Sequence, residues 1–341
     1  MPAAAGTLLL TGAQGFLGRH VARAWLRRFP EGHVVGVGRS PYSGDSFTHD
    51  HMIRGVPVRA ALPRRLMTPP ISGHFEYRRV DLTDGLAVRS LMREVGPVAV
   101  VHGAAALRGA SLEDLIDSNV LATSCVARAA SGLATQPRLV LVSSGAVYGL
   151  LEDARATTDG LDPYAITKRA AERAAAMESA LTGLGVVIAR VFNLVGAGLQ
   201  DRHLPARVAL DLAVMEAGSA RRLQLGPLDA LRDLIDVRDA AEGVVAAASI
   251  DEPALEQLAQ SEGLRVVDVG TGVAHSMRDL VRLQIAAACL EDFEVVESGA
   301  RPAGALVLRA DLAGLALLGA LPKVPLEESL AEMAAYARSH V

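Results

Sequence analysis

Tyr164-Ala165-Ile166-Thr167-Lys168 places a phenol and an ammonium four residues apart, which on a helix means one face. A tyrosine titrates near pH 10 in isolation. A lysine charge about 4 Å away, in an effective dielectric of about 20, contributes on the order of 4 kcal/mol, or about three pH units. The pair therefore predicts a phenol brought close to neutrality, able to give or take the proton of an alcohol. Upstream, Val142-Ser143-Ser144-Gly145-Ala146-Val147-Tyr148-Gly149 closes an apolar run with a serine pair. Ser144 is the expected hydroxyl that polarises the same oxygen, and Ser143 is expected to be partly structural. Tyr-x-x-x-Lys alone occurs by chance in many helices, so the weight falls on its conjunction with two further features.

The first comes after the opening apolar run, where Thr11-Gly12-Ala13-Gln14-Gly15-Phe16-Leu17-Gly18 leads into a helical pattern. Glycines there permit a tight turn and close backbone approach to a pyrophosphate, and the helix N-terminus offers free amides. The spacing is Gly-x-x-Gly-x-x-Gly, a variant of the ordinary dinucleotide fingerprint. The second feature is the end of the next strand, His33 to Ser40, which has no carboxylate where an NAD-selective site holds one for the ribose hydroxyls. Arg39 stands there instead. A guanidinium takes a 2′-phosphate bidentately, so NADP(H) is favoured and NAD(H) is the second option. Asp81, closing a third strand, is placed to reach the adenine amino group or else simply caps the next helix.

These groups need a frame to position them. Short apolar runs alternate with longer amphipathic stretches, which predicts strand and helix units building a parallel sheet. The expected strands are Thr7–Leu10, Val34–Val37, Tyr77–Val80, Val98–His102, Leu139–Val142, Val186–Arg190 and Arg265–Val269, with helices such as Gly18–Phe29, Leu112–Ser131 and Tyr164–Leu181 between them. Arg39 to Glu76 holds prolines at 41, 57, 63, 69 and 70 and little periodicity, and reads as a long structured excursion. The resulting class is α/β, a Rossmann-type doubly wound parallel sheet with a smaller C-terminal substrate-binding lobe. Residues 1–192 with about 236–271 are expected to bind the dinucleotide, and about 193–235 with 272–341 to form the lobe.

Composition narrows the function classes. The chain has 341 residues, half of them hydrophobic, and a mean hydropathy of +0.28, much of it from alanine suited to helices packed on a sheet. No apolar run reaches the roughly 18–20 residues of a membrane span and no signal peptide is legible, so a cytoplasmic protein is expected. A net charge of −4 gives no footprint for nucleic acid. Cys125 and Cys289, too few for a disulfide framework or a thiolate metal site, are expected to be inert packing thiols, and no metal is expected.

Taken together, the glycine turn, the serine pair and Tyr164 with Lys168 resemble the extended short-chain dehydrogenase/reductase family, the branch of nucleotide-sugar epimerases, dehydratases and 4-ketoreductases. The resemblance runs over nearly the whole chain, adding Val101-His102-Gly103-Ala104-Ala105, Asn119-Val120 and Arg190-Val191-Phe192-Asn193. It implies catalysis by Ser144, Tyr164 and Lys168. It also implies cofactor contacts from Gly12, Gln14, Gly15, Phe16, Leu17, Gly18, Arg39, Asp81, Leu82, Gly103, Ala104, Ala105 and Val191, as well as from Tyr164 and Lys168. The implied substrate is a nucleoside-diphosphate sugar, and the implied assembly is a homodimer through the Leu112 and Tyr164 helices.

Within that branch, 4,6-dehydratases place an acidic pair after the catalytic hydroxyl, where this chain has Gly145 and Ala146, so dehydration is disfavoured. Leu225 to Asp233 is similar to the segment leading to the sugar-nucleotide arginine of the GDP-mannose dehydratase and 4-keto-6-deoxyhexose reductase group. That makes Arg232 and Asn193 candidate diphosphate contacts. Arg301-Pro302 resembles a second phosphate-gripping arginine, although Gly304 replaces the usual aspartate nearby. His203 lies where some relatives keep an extra acid, but a lone histidine is more often solvated or satisfied. The leading expectation is an NADP(H)-dependent reductase of a 4-keto nucleotide sugar. A 4-epimerase with tightly bound NAD uses identical residues, and a non-catalytic dinucleotide sensor is the alternative from another class.

Overall fold

The computed structural model describes residues 6–67, 74–152, 162–216, 218, 222–258, 260–261, 263–290, 293–299, 307 and 309–341. All seven expected strands are present: Thr7–Thr11 (β1), His33–Gly38 (β2), Phe75–Arg79 (β3), Ala99–His102 (β4), Arg138–Ser144 (β5), Val186–Val191 (β6) and Leu264–Val269 (β7). They are mutually parallel in the order β3-β2-β1-β4-β5-β6-β7, with the short strand Gln260–Ser261 added antiparallel at the β7 edge. The order reverses direction between β1 and β4, where the glycine turn leaves the sheet, and open α/β sheets bind ligands at such a point.

The alternation of side chains explains why the strands read as continuous apolar runs. Leu8, Leu10, Val34, Val187 and Val267 point into one core with Phe16–Arg28 (α1) and Val237–Ala248, while Leu9, Val35, Val100, Leu141 and Ile188 point into another. That second core is closed by Gly85–Val95 (α2), Ala122–Ser131 (α3) and Pro163–Thr182 (α4). A parallel sheet with both faces covered leaves no polar face to pattern. The helix expected over Leu112–Ser131 forms with an interruption, because Ile116–Leu121 is a π-helical stretch centred near buried Asn119.

A third apolar cluster lies off the sheet. Leu204–Glu216 (α5), Met277–Ala287 (α6) and Leu326–Arg338 (α7) pack Val208, Leu212, Leu280, Val281, Leu330 and Met333 together, with the small parallel pair Arg222–Leu225 and Glu294–Glu297 alongside. The excursion after Arg39 contains a β-hairpin, Ser46–Ile53 with Val56–Ala61, followed by the short helix Arg64–Met67. Its Phe47, Ala60, Leu62 and Leu66 make a cluster of their own against Phe16, and Tyr336 of α7 donates a hydrogen bond to the Ala61 carbonyl. Among the described residues no helix is long and apolar enough to cross a membrane.

Candidate active site

Gly12 has a left-handed backbone (φ 71°), and a Cβ there would lie 2.8 Å from the Ala104 nitrogen and the Gly103 carbonyl carbon. Only glycine meets both conditions. A Cβ at Gly18 would stand 2.2 Å from the Gly12 oxygen, so the first turn of α1 is pressed against the loop that precedes it. Gly15 starts α1 without a side-chain cap, leaving first-turn amides for an anion. The cradle therefore fits a dinucleotide pyrophosphate. Around it the expected residues divide. Leu17 packs on the sheet core, Leu82 is buried in the opposite core, and the Phe16 ring sits 6.1 Å from that of Phe47. Gln14 is committed to protein: its Nε2 donates to the Pro41 carbonyl (2.9 Å) and its Oε1 accepts from Ser43 N–H (2.6 Å), so its side chain ties the turn to the excursion.

At the end of β2, Arg39 is exposed and its carbonyl accepts a hydrogen bond from Arg79 Nε at 2.8 Å. Arg79, which nothing in the local sequence marks as a site residue, is a second guanidinium at this edge because β3 pairs it with Gly38. Asp81 accepts from the Thr83 amide and hydroxyl at 3.0 and 2.8 Å. Those bonds, and then the charge of Arg39, hold its carboxyl below the usual range. Ala104 and Ala105 come directly after Gly103 in the loop beyond β4, where the Ala104 amide donates to Thr11 Oγ1 (3.1 Å).

Ser144 ends β5, and its hydroxyl accepts from the Ala146 amide at 3.2 Å and is a hydrogen-bonding neighbour of the Tyr164 phenol. Tyr164 and Lys168 lie one turn apart on α4, started by Asp162 as N-cap and Pro163 at the first position. The Ser144 hydroxyl and the Tyr164 phenol come together, with Lys168 one turn further along the same helix, but the electrostatics differ from expectation. Lys168 is buried and its Nζ donates to the Val142 carbonyl at 2.5 Å. Burial pushes the ammonium down to about 8, against a pull from Glu172. Burial likewise pushes the Tyr164 phenol up, with the Ser144 hydroxyl and then the Arg108 charge drawing it back. Burial outweighs the expected lowering, and Lys168 is not among the groups that draw the phenol back.

Beneath this pocket lies a buried network. Ser143 donates to Glu172 Oε1 at 2.6 Å, and Arg190 grips Glu172 bidentately at 3.0 and 2.9 Å. Ser143 is thus the structural serine of the pair. Val191 ends β6, pairing with Ser144 in the sheet register. Asn193 donates to the Asp233 carbonyl (3.0 Å), and Arg232, on the adjoining strand Leu231–Asp236, donates to its neighbour's carbonyl and lies within electrostatic reach of Arg108. Arg301 falls outside the described residues. His203 is pushed down by burial and by the charges of Arg202 and Arg108. Arg108 and Asp162, both missed in sequence, flank Tyr164; only the Asp-Pro helix start before the tyrosine was readable. Of the two thiols, Cys125 is half-buried as expected, but Cys289 is exposed just beyond α6.

Fold and site together define a dinucleotide-binding α/β enzyme. The chain belongs to the NAD-dependent epimerase/dehydratase family, whose model matches residues 8–256. It is 29% identical over 231 residues to a dTDP-6-deoxy-L-talose 4-dehydrogenase (NAD(P)(+)) of Kitasatospora kifunensis, covering 66% of this chain and 70% of that one. It is 30% identical over 190 residues to a GDP-6-deoxy-D-mannose reductase of Pseudomonas aeruginosa, covering 54% of this chain and 59% of that enzyme. Among solved structures, the UDP-glucose 4-epimerase of Thermus thermophilus in complex with NAD superposes with a TM-score of 0.69 at 26% identity, covering 98% and 100% of the two chains.

Proposed function

We propose that the protein is an NADP(H)-dependent reductase of a 4-keto nucleoside-diphosphate sugar, with Tyr164 as the proton donor. The observation that carries this reading is the Tyr164 phenol, pushed up by burial and beside the Ser144 hydroxyl, at the same carboxyl end of the sheet as the glycine cradle. A protonated phenol is the form that donates to an oxygen gaining negative charge. Ser144 hydrogen-bonds the same oxygen, and its own Oγ is oriented by the Ala146 amide. Lys168, tied to β5, fixes the floor of the pocket and stays largely protonated at neutral pH.

A nicotinamide dinucleotide, when bound, supplies the hydride. Gly12, Gly15 and Gly18 would hold its pyrophosphate, and Arg39 would select a 2′-phosphate, with Arg79 as a second guanidinium at the same edge. The relatives named for NAD(P)(+) and for reduction of a nucleotide sugar support a nicotinamide-dependent reaction on such a sugar. Arg232 and Asn193 grip the substrate's diphosphate. Leu112, Ile116, Leu121, Met177 and Leu181 leave an exposed apolar stripe on the Leu112 and Tyr164 helices, which supports a homodimer. Sedimentation equilibrium at micromolar protein reads that state directly, and a monomer there removes the dimer from the reading.

A panel of UDP-, dTDP- and GDP-linked sugars and their 4-keto forms, followed by NADPH and NADH absorbance and by product NMR, tests the activity. Net consumption of NADPH with a 4-ketosugar is expected. Interconversion of C4 epimers without net cofactor turnover would replace the reductase by the epimerase.

A further inference from the structure

We propose that Arg108, in the loop after β4, is a positioning residue for proton transfer: the Asp162 carboxylate fixes its guanidinium over the Tyr164 ring, keeping a positive charge against the phenol. The inference rests on Tyr164 acting as the acid proposed above. Asp162 holds both partners at once. One carboxylate oxygen accepts the Tyr164 amide at 3.1 Å, and the other accepts Arg108 Nε and Nη2 at 2.7 and 2.5 Å. The helix cap that places the tyrosine therefore also places the arginine. The guanidinium carbon sits 5.3 Å from the phenol ring centroid, within cation–π range. From the C-terminal half of the chain, Arg202 Nη1 donates to the Arg108 carbonyl at 3.1 Å and pins the loop itself.

The side chain is 62% exposed, and a surface ion pair of that kind adds little to stability. Its importance lies in where it leaves the charge. Lys168, on the same helix, is bonded to Val142 and has Glu172 behind it. Asp162 is the carboxylate facing the phenol and opposes ionisation, while Arg108 favours it more strongly. Arg232 and His203 lie within electrostatic reach of Arg108. Among the described residues, Arg108 is thus the cation that acts on the phenol.

The test is an ultraviolet titration of tyrosinate, read within milliseconds of a pH jump on the full-length protein. The Tyr164 component is isolated by subtracting the Tyr164→Phe titration. For an exposed charge 5.3 Å from the ring centroid, Arg108→Gln should move that component upward by about 0.5–1 pH unit. Arg108→Lys should restore at least half of the shift. Both variants should melt within about 2 °C of the parent, since exposed substitutions cost little. A Gln variant that titrates like the parent overturns the proposal, as does a Lys variant shifted as far as the Gln variant. If Tyr164→Phe leaves turnover intact, the reading of Tyr164 itself fails, whatever Arg108 does.

Discussion

The glycine turn after β1 and the serine–tyrosine pocket after β5 open from the same ends of one parallel sheet, yet they are held by opposite means. The turn works by absence: Gly12, Gly15 and Gly18 leave room for backbone to meet backbone, and a single added methyl at Gly18 would overlap a carbonyl at 2.2 Å. The pocket works by buried charge. Glu172 and Arg190 are fully buried against one another, Arg169 adds a third group, and Ser143 caps the carboxylate. A steric cradle is intolerant of one carbon atom. A charged pocket tolerates changes of shape better than the removal of one partner.

The largest expected effect is on the pocket's output. Tyr164→Phe should lower turnover by about 10²–10⁴-fold while leaving cofactor affinity nearly unchanged, because the phenol acts on the substrate oxygen. Steady-state rates beside a fluorescence titration of NADPH decide this, and near-normal turnover would sink the mechanism. Next, Arg190→Met leaves the buried Glu172 carboxylate only Arg169 of its two ion-pair partners named above and should cost up to about 3–5 kcal/mol in urea unfolding. The double change Arg190→Met with Glu172→Met should recover much of that loss. A double variant no better than the single would mean that shape, not charge, holds the pocket.

On the cradle side the effects are smaller. Arg39→Asp should weaken NADP(H) by roughly 10- to 150-fold and leave NAD(H) nearly unchanged, since a charge-assisted contact is worth about 1.5–3 kcal/mol. Equal affinity of the parent for the two cofactors would reduce Arg39 to a surface charge. The smallest effect would sharpen the contrast, because the cradle does rest on one titrating group. His102, just below it, is buried between Thr11 and Thr123 and pushed down to about 3, chiefly by burial. Between pH 6.5 and about 3 the unfolded histidine takes a proton that the folded one refuses. Its share of stability is therefore complete above 6.5 and falls on acidification by up to about 1.4 kcal/mol per pH unit. Urea midpoints at pH 7, 6 and 5 for the parent and His102→Gln would show it, with the variant losing the steeper slope.

The strands, the glycine turn and the spacing of Tyr164 and Lys168 were readable because each is local. An apolar run buried on both faces, a glycine forced by a left-handed φ, and a helical i,i+4 pair are all written within a few consecutive residues. What could not be read came from contacts distant in sequence. Arg108 lies 54 residues from the Asp162 that holds it, and no periodicity links them. Arg79 looked like an ordinary strand residue until the β2–β3 register set it beside Gly38. The excursion's hairpin was hidden by its prolines, because its core partners Phe16 and Tyr336 come from the two ends of the chain.

By itself the sequence determined the sheet and the place of its crevice, and it pointed to the groups proposed to move a proton there. Only the tertiary structure decided the electrical state of those groups. A charge's effect depends on which atom it faces and how much water remains between them. The fold turned the Lys168 ammonium onto the Val142 carbonyl and set the Arg108 guanidinium over the Tyr164 ring.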